Sequence, residues 1–418
     1  MAGEQRNGPD GLPDILGGVD LADPGSFAAG VPYPLFAALR RDAPVLFHPH
    51  GPDRASGFWV LTRHADITAA AADPVFSAEG APERDGGGTH LEDLPRGLPT
   101  GAVVFMMDDP RHGLIKQALQ PHLDGPAVPG QPALRVHAEE LVRRAVAAGR
   151  ADAVGAIAEP FALRAVCGLL GVPRRDEPRL GGWSREVLGF TDRRTGRADP
   201  RSRAVFAAMR EYFQHLLDGE WRAHSGGLGP LIAAGTIPGG CPLSRTEQEM
   251  HAAVLFVSGF EQPRNTIAAA VAAFATHPRQ WRMLRSDRSL LTGAIEEVLR
   301  WAPPNPYNRR TATADVLLRG QLIRAGDKVT LWWPSANRDR EVFADPDVFD
   351  IRRRPNPHLA FGSGTHACSG AAFARTQLRL VLSALLDQVE QIQLTGPVVH
   401  APNNKHTVLL DVPIELVR

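Results

Sequence analysis

The chain holds 418 residues, 43% of them hydrophobic, with 46 basic and 46 acidic side chains and a formal net charge of zero. That is enough chain for a large buried core, and the balanced charge supplies no overall field for nucleic acid or an anionic membrane. Neither a secretory leader nor an apolar run of about 18 residues occurs, and three cysteines cannot build a disulfide framework, so a soluble cytoplasmic protein without membrane contact is expected.

Residues 1–25 are rich in Gly, Pro and Asp without periodicity and read as a flexible tail, leaving 26–418 as a single catalytic domain. A helix follows from Tyr33, with Leu35, Phe36 and Leu39 on one face, and stops ahead of Pro44; Phe58–Thr62 is the clearest early strand. Scattered prolines and Gly86–Gly88 make 80–104 a long loop, read as a substrate lid or as a disordered insertion. A helix opening near Met107 carries His112 and Lys116, four apart and therefore on one face. Cys167 sits in an apolar helical stretch, as a buried inert thiol would. The polar segment 190–204 reads as mobile.

Ser244 and Glu247 form a capping box that starts the longest helix, which runs through Phe256, Phe260, Ile267, Val271 and Phe274 towards Pro278. Pro263 lies inside it, where the missing N–H leaves the Gly259 carbonyl unbonded at a cost of about 3 kcal/mol. A further helix from Leu290 to Trp301 contains Glu297 and Arg300, and short strands are expected at Val316–Leu318, Val329–Trp333 and Val408–Leu410. The fold class is mainly α with a small β region.

The most informative stretch is Phe361-Gly-Ser-Gly-Thr-His-Ala-Cys-Ser-Gly370, which leads into a helix over 370–388 with Leu378, Val381, Leu382 and Leu385 on one face. Placing Cys368 just before that helix aims backbone N–H groups at the sulfur, which should depress the thiol pKa. Gly362, Gly364 and Gly370 allow tight turns and a flat approach to a planar group. Alone, the loop suits a haem thiolate, a redox thiol or plain turn chemistry.

That stretch resembles the haem-thiolate signature of the cytochrome P450 family, soluble bacterial type, and the resemblance extends from Tyr33 nearly to the last strand. It implies a helical triangular prism with a small β region and heme b as cofactor, with Cys368 ligating the iron and Phe361 and Gly362 in the cofactor loop. Glu297 and Arg300 look like the family's buried Glu-x-x-Arg pair, to be joined by Arg353; without that context they would read as a solvated helical ion pair. The haem propionates fall by resemblance to His112, Lys116, Arg310 and His366, each of which in isolation is an ordinary surface cation. Lys116 stands where the family more often has Arg, so a bidentate contact becomes a point charge.

The long helix departs from the family. Where Ala/Gly-Gly-x-Asp/Glu-Thr-Thr is usual, this chain has Ser258-Gly259-Phe260-Glu261-Gln262-Pro263, keeping the acid but replacing the alcohol by an amide. An alcohol relays protons and an amide does not. Glu261 and Gln262 are the candidate catalytic residues, and three readings of Gln262 stand: it orders a relaying water, the substrate brings the hydroxyl, or the reaction uses another relay. Thr266, a turn further on, reads as too distant.

The implied function is a haem-thiolate monooxygenase that oxidises a small molecule, in natural-product metabolism, with electrons from a separate ferredoxin or flavodoxin type donor. Oxidative coupling or cyclisation at the same centre is the alternative, and a non-catalytic binding protein, or action on a carrier-protein-bound substrate, is the further one. Arg352, Arg353, Arg354, Arg375 and Arg379 offer an acidic redox partner a landing patch, or a solvated face. Phe256, Phe260, Asn305, Asn308, Asn403 and Asn404 are the candidate pocket residues, the asparagines hinting at a polar, peptide-like substrate.

Overall fold

The computed structural model describes residues 12–79, 89–93, 101–124, 131–188, 191–223 and 227–418. Most of the expected 80–104 loop lies outside them. The 89–93 segment within it is pinned by cations: Arg309 donates to the His90 carbonyl and to Asp93, Lys328 to the Leu91 carbonyl, and Lys405 pairs with Glu92 at 2.8 Å.

Helix dominates. The longest, Arg245–Thr276, has 32 residues, starts at the Ser244–Glu247 capping box and contains Pro263. Its alanine-rich second half lets neighbours approach closely, and Glu159–Leu170, Pro200–Asp218 and Leu291–Trp301 all pack on it. Ala371–Gln388, which follows the cysteine loop, packs on Gln131–Ala148 and buries Leu378, Val381, Leu382 and Leu385, the face its periodicity predicts. These helices share one apolar core.

A five-stranded sheet lies to one side, in the order Val45–His48, Phe58–Leu61, Lys328–Trp332, Tyr307–Ala312, Phe76–Ser77. Its second and third strands are parallel and its other pairs antiparallel. The central strand is buried throughout, and the period of two splits it: Val329 and Leu331 join Trp59 and Leu61 on one face, while Trp332 joins Phe58, Val60 and Tyr307 on the other. A three-stranded sheet of Gln391–Leu394, Pro413–Val417 and Arg150–Asp152 closes the opposite end.

Two expectations need correction. The described part of the supposed tail is packed, with Leu16 and Leu21 buried, because both side chains reach the apolar cluster under the large sheet. The segment 190–204 is not free either: Thr191–Asp192 pairs with Val187–Leu188, and Arg193 is 4% exposed because it neutralises a buried carboxylate. Among the described residues no helix is long and apolar enough to cross a membrane.

Candidate active site

The cysteine loop is held from several sides. Cys368 N–H donates to the Phe361 carbonyl at 2.8 Å, closing the loop on itself. Gly362 and Gly364 have φ of +73° and +69°, and a Cβ on Gly364 would collide with the Ala71 carbonyl oxygen, so this position admits glycine alone. Lys116 Nζ donates to the Thr365 and Ala367 carbonyls at 2.6 and 2.7 Å, which makes it a brace for the loop. Arg375 lies 4.6 Å over the Phe361 ring while pairing with Glu296.

Cys368 is exposed, with protein packed densely around it. The expected depression of its thiol pKa is not found: burial pushes the thiol up, and the Gly370 N–H, Lys116 and Arg375 offset only part of that. A coordinating metal cation is what such a sulfur requires to ionise. Cys167 is fully buried and its thiol is likewise pushed up by burial, as an inert core thiol should be. Cys241 is exposed.

Beside the loop, cationic and imidazole groups outnumber the carboxylates that act on them, Asp108 and Asp109. The His112 and His366 rings stack at 4.1 Å, and each has a buried Nδ1 with no hydrogen-bond partner. Asp109 Oδ1 is 3.4 Å from His112 Nδ1 but outside hydrogen-bond geometry. Arg310, 4% exposed, has no ion pair among the described residues and donates only to the neighbouring Arg309 carbonyl; burial lowers its pKa to about 10, against the attraction of Asp108. His366 is held down to about 3, by burial first and then by Arg310, His112 and Lys116. A buried guanidinium without a partner is costly. The donor set therefore fits a ligand that brings two carboxylates, as haem does, and Cys368 fits its iron. Supplied there, haem activates dioxygen under the electron push of the thiolate.

The structural triad is assembled as expected. Glu297 and Arg300 are both fully buried and joined by two hydrogen bonds of 2.7 and 2.8 Å. Arg300 also donates to the Asn337, Pro346 and Val348 carbonyls, and Arg353 Nε reaches Glu297 Oε2 at 3.2 Å. Arg353 is thus committed to the interior and Arg375 to Glu296, while Arg352 pairs with Asp350 on the surface. Of the proposed landing patch, Arg354 and Arg379 remain without an ion pair among the described residues.

On the long helix Glu261 is 1% exposed and gripped in bidentate fashion by Arg193, at 2.7 and 2.5 Å, with Asn265 Nδ2 donating to it at 2.8 Å. Burial pushes its carboxyl up, but Arg193 and Arg264 outweigh that and hold it at about 2. Glu261 is therefore an ionised acceptor at neutral pH, with no proton to give. Thr266 donates back to the Gln262 carbonyl at 2.7 Å, which turns its hydroxyl along the helix. Gln262 Nε2 lies 2.9 Å from His406 Nδ1, and that nitrogen is 3.0 Å from Asn305 Oδ1.

Several candidate pocket residues are spent elsewhere. Phe256 and Phe260 stack at 6.3 Å inside the helical core and are 0% and 2% exposed. Asn403 Oδ1 accepts from the Lys405 and His406 backbone N–H groups, forming a turn, and Asn404 ties that turn to the Leu21 and Ala22 carbonyls. Asn308 accepts from Trp333 Nε1 at 2.9 Å. The hint of a peptide-like substrate loses its basis, since only Asn305 lies beside Gln262's partner. Arg193 and His406 escape a reading of the sequence, because nothing local distinguishes an arginine in a polar segment or a histidine in a hairpin tip.

A loop presenting a thiol beside an anion-accepting cluster fits a haem-thiolate enzyme, and comparison with known proteins bears on that class. The family described as Cytochrome P450 matches residues 242–416. Cytochrome P450 126 of Mycobacterium tuberculosis is 39% identical over 413 residues, covering 96% of this chain and 98% of that protein. The methyl-branched lipid omega-hydroxylase of the same organism is 34% identical over 374 residues, covering 86% and 85%. A Mycobacterium marinum cytochrome P450, solved in complex with pseudoionone, superposes with a TM-score of 0.84 at 29% identity, covering 96% and 98%. The chain belongs to the cytochrome P450 family. It is a haem-dependent monooxygenase of that family, acting on a small molecule with electrons from redox partners.

Proposed function

We propose that this monooxygenase hydroxylates an apolar isoprenoid or branched-chain substrate in specialised metabolism, taking electrons from an acidic ferredoxin or flavodoxin at the face that carries Arg354 and Arg379. In this reading Cys368 ligates the iron, Arg310, His112 and His366 hold the propionates, and Lys116 stiffens the ligand loop. Gln262 of the long helix would, in this reading, stand beside the reacting atoms. Glu261 stays ionised in the grip of Arg193 and anchors that helix, leaving proton positioning to groups around Gln262.

The observation that carries the cofactor assignment is the buried Arg310, without an ion pair among the described residues, beside two histidines whose Nδ1 atoms have no hydrogen-bond partner among them. The substrate class is supported by the activities for which relatives are named: the lipid omega-hydroxylase above, a linalool 8-monooxygenase of Pseudomonas putida at 32% identity, and a steroid C26-monooxygenase of Mycobacterium tuberculosis at 32%. The loss of the asparagine-lined pocket points the same way.

The reduced, carbon monoxide-treated protein is expected to show the red-shifted Soret band of a thiolate-ligated haem, and folded, haem-loaded protein without it would overturn the ligand assignment. A spectral-shift screen of linear terpenoids, branched fatty acids, sterols and peptides then tests the substrate class. Response to peptides alone would refute it.

A further inference from the structure

Gln262 stands on the long helix where the family pattern has an alcohol, and its side chain has one partner among the described residues, His406 Nδ1 at 2.9 Å. The same Nδ1 faces Asn305 Oδ1 at 3.0 Å. An amide nitrogen only donates and an amide oxygen only accepts, whereas one imidazole nitrogen does either but not both. Nδ1 therefore cannot serve both partners in these orientations, and one amide must be turned over, since amide nitrogen and oxygen exchange places by rotation. Two arrangements satisfy the chemistry. With Nδ1 protonated, it donates to Asn305 Oδ1 and Gln262 presents Oε1 to it. With Nδ1 bare, it accepts from Gln262 Nε2 and Asn305 presents Nδ2. The far end of the Gln262 amide is a donor in the first arrangement and an acceptor in the second, in which the buried Oε1 has no partner.

The imidazole is held firmly enough for this to matter. Asn403 Oδ1 fixes the His406 backbone N–H at 2.9 Å, and the His90 ring stands edge-on at 5.8 Å. Around it lie Glu261 and Arg193 from the distal side, Lys405 from its own turn and His90 from the pinned 89–93 segment. Burial first, then Lys405 and Arg193, hold it at about 4 against Glu261, so at neutral pH it is uncharged and its tautomer is the variable. Nε2 has no hydrogen-bond partner among the described residues. The residue also lines a small cavity, about 10 Å³, with Phe27, Gly30, Pro306, His400 and Thr407, which is room for about one water.

We propose that His406 is a positioning residue of the distal site: through the tautomer it presents at Nδ1 it sets whether the Gln262 amide offers a donor or an acceptor on its far side. The pair then supplies both hydrogen-bond polarities at a position where the family alcohol supplies them within one hydroxyl. This inference rests on Gln262 lying over the haem, as the proposed function holds.

Carbon monoxide bound to the reduced holoenzyme is the probe, because its C–O stretching band responds to the polarity of nearby groups. Gln262→Leu is expected to shift the band, His406→Phe to shift it as well, and His406→Asn, which returns an amide to the place of Nδ1, to move it back towards the parent position. If Gln262→Leu leaves the band in place, Gln262 is not beside the iron, and the placement and this inference fall together. If Gln262→Leu shifts it and His406→Phe does not, or His406→Asn does not restore it, the role of His406 is overturned while the placement of Gln262 stands. Should His406→Phe fail to bind haem, Asn305→Leu removes the second partner of Nδ1 and makes the same comparison, with an unmoved band again overturning the role.

Discussion

Arg193→Met should destabilise the protein through Glu261, and the size of the effect follows from the site. The variant keeps most of the side-chain volume but leaves a carboxylate, 1% exposed, without its bidentate partner. Breaking one side of a buried pair costs about 3–5 kcal/mol. Holding a carboxyl at about 2 when its ordinary value is 4.5 corresponds to about 3 kcal/mol at 1.36 kcal/mol per pH unit, which agrees. With an unfolding entropy of about 2.1 cal/mol/K per residue, a chain of 418 residues should lose about 3–6 °C in Tm.

The sign with pH is also determined. In the parent the Glu261 pKa is depressed, so its stabilisation is complete above pH 4.5 and is lost as pH falls through about 2. In the variant burial is opposed by Arg264 and Asn265 without Arg193, so the folded carboxyl moves up from its parent value, and its stabilisation is smaller and, as pH falls, is lost at a higher pH. Scanning calorimetry on both proteins between pH 3 and pH 7 should show the gap in Tm widening as pH rises, because the parent gains the Glu261 stabilisation over the window between about 2 and 4.5. Adding Glu261→Gln should recover part of the loss, because it removes the stranded carboxylate while buried Arg264 keeps Glu159 as its partner. A loss below about 1 °C with no pH dependence would refute the reasoning, since it would mean the pair is solvated.

Three other substitutions test the cofactor site and its frame. Gly364→Ala places a methyl group against the Ala71 carbonyl at a φ of +69°, and the purified protein should contain less haem per chain by pyridine haemochrome assay; full occupancy would count against the tight loop. Arg310→Leu should raise the Tm of the haem-free protein, by removing a buried charge that has no ion pair among the described residues, while lowering haem retention in a transfer assay to apomyoglobin; a lower apoprotein Tm would contradict its assignment as an anion site. Glu297→Ala strands Arg300 and Arg353 in the interior and should cost about 3–5 kcal/mol, seen as loss of soluble expression or a fall in the denaturation midpoint. An unchanged midpoint would show the triad to be dispensable.

Much of the frame was legible in order along the chain, because its determinants are local. The capping box at Ser244–Glu247, the apolar face of 371–388, the left-handed glycines before Cys368 and the three-residue spacing of Glu297 and Arg300 each act over a few residues, so sequence alone placed them, and the family resemblance carried by these stretches supplied the cofactor. What escaped were interactions between distant segments. Arg193 and Glu261 stand 68 positions apart and Gln262 and His406 stand 144 apart, and no local pattern announces either pair. Likewise the asparagines near the C-terminus look like pocket residues until the fold spends them on backbone groups of the turn and the N-terminal segment. Hydrogen-bonding capacity belongs to the residue, but which atoms consume it is decided only when the chain closes and every buried donor must find an acceptor. Local sequence specified which group this protein holds and in which loop. Folding specified which side chains stand ready around it, because burial strips water from Arg310, Glu261 and His406 and leaves their neighbours to set their state.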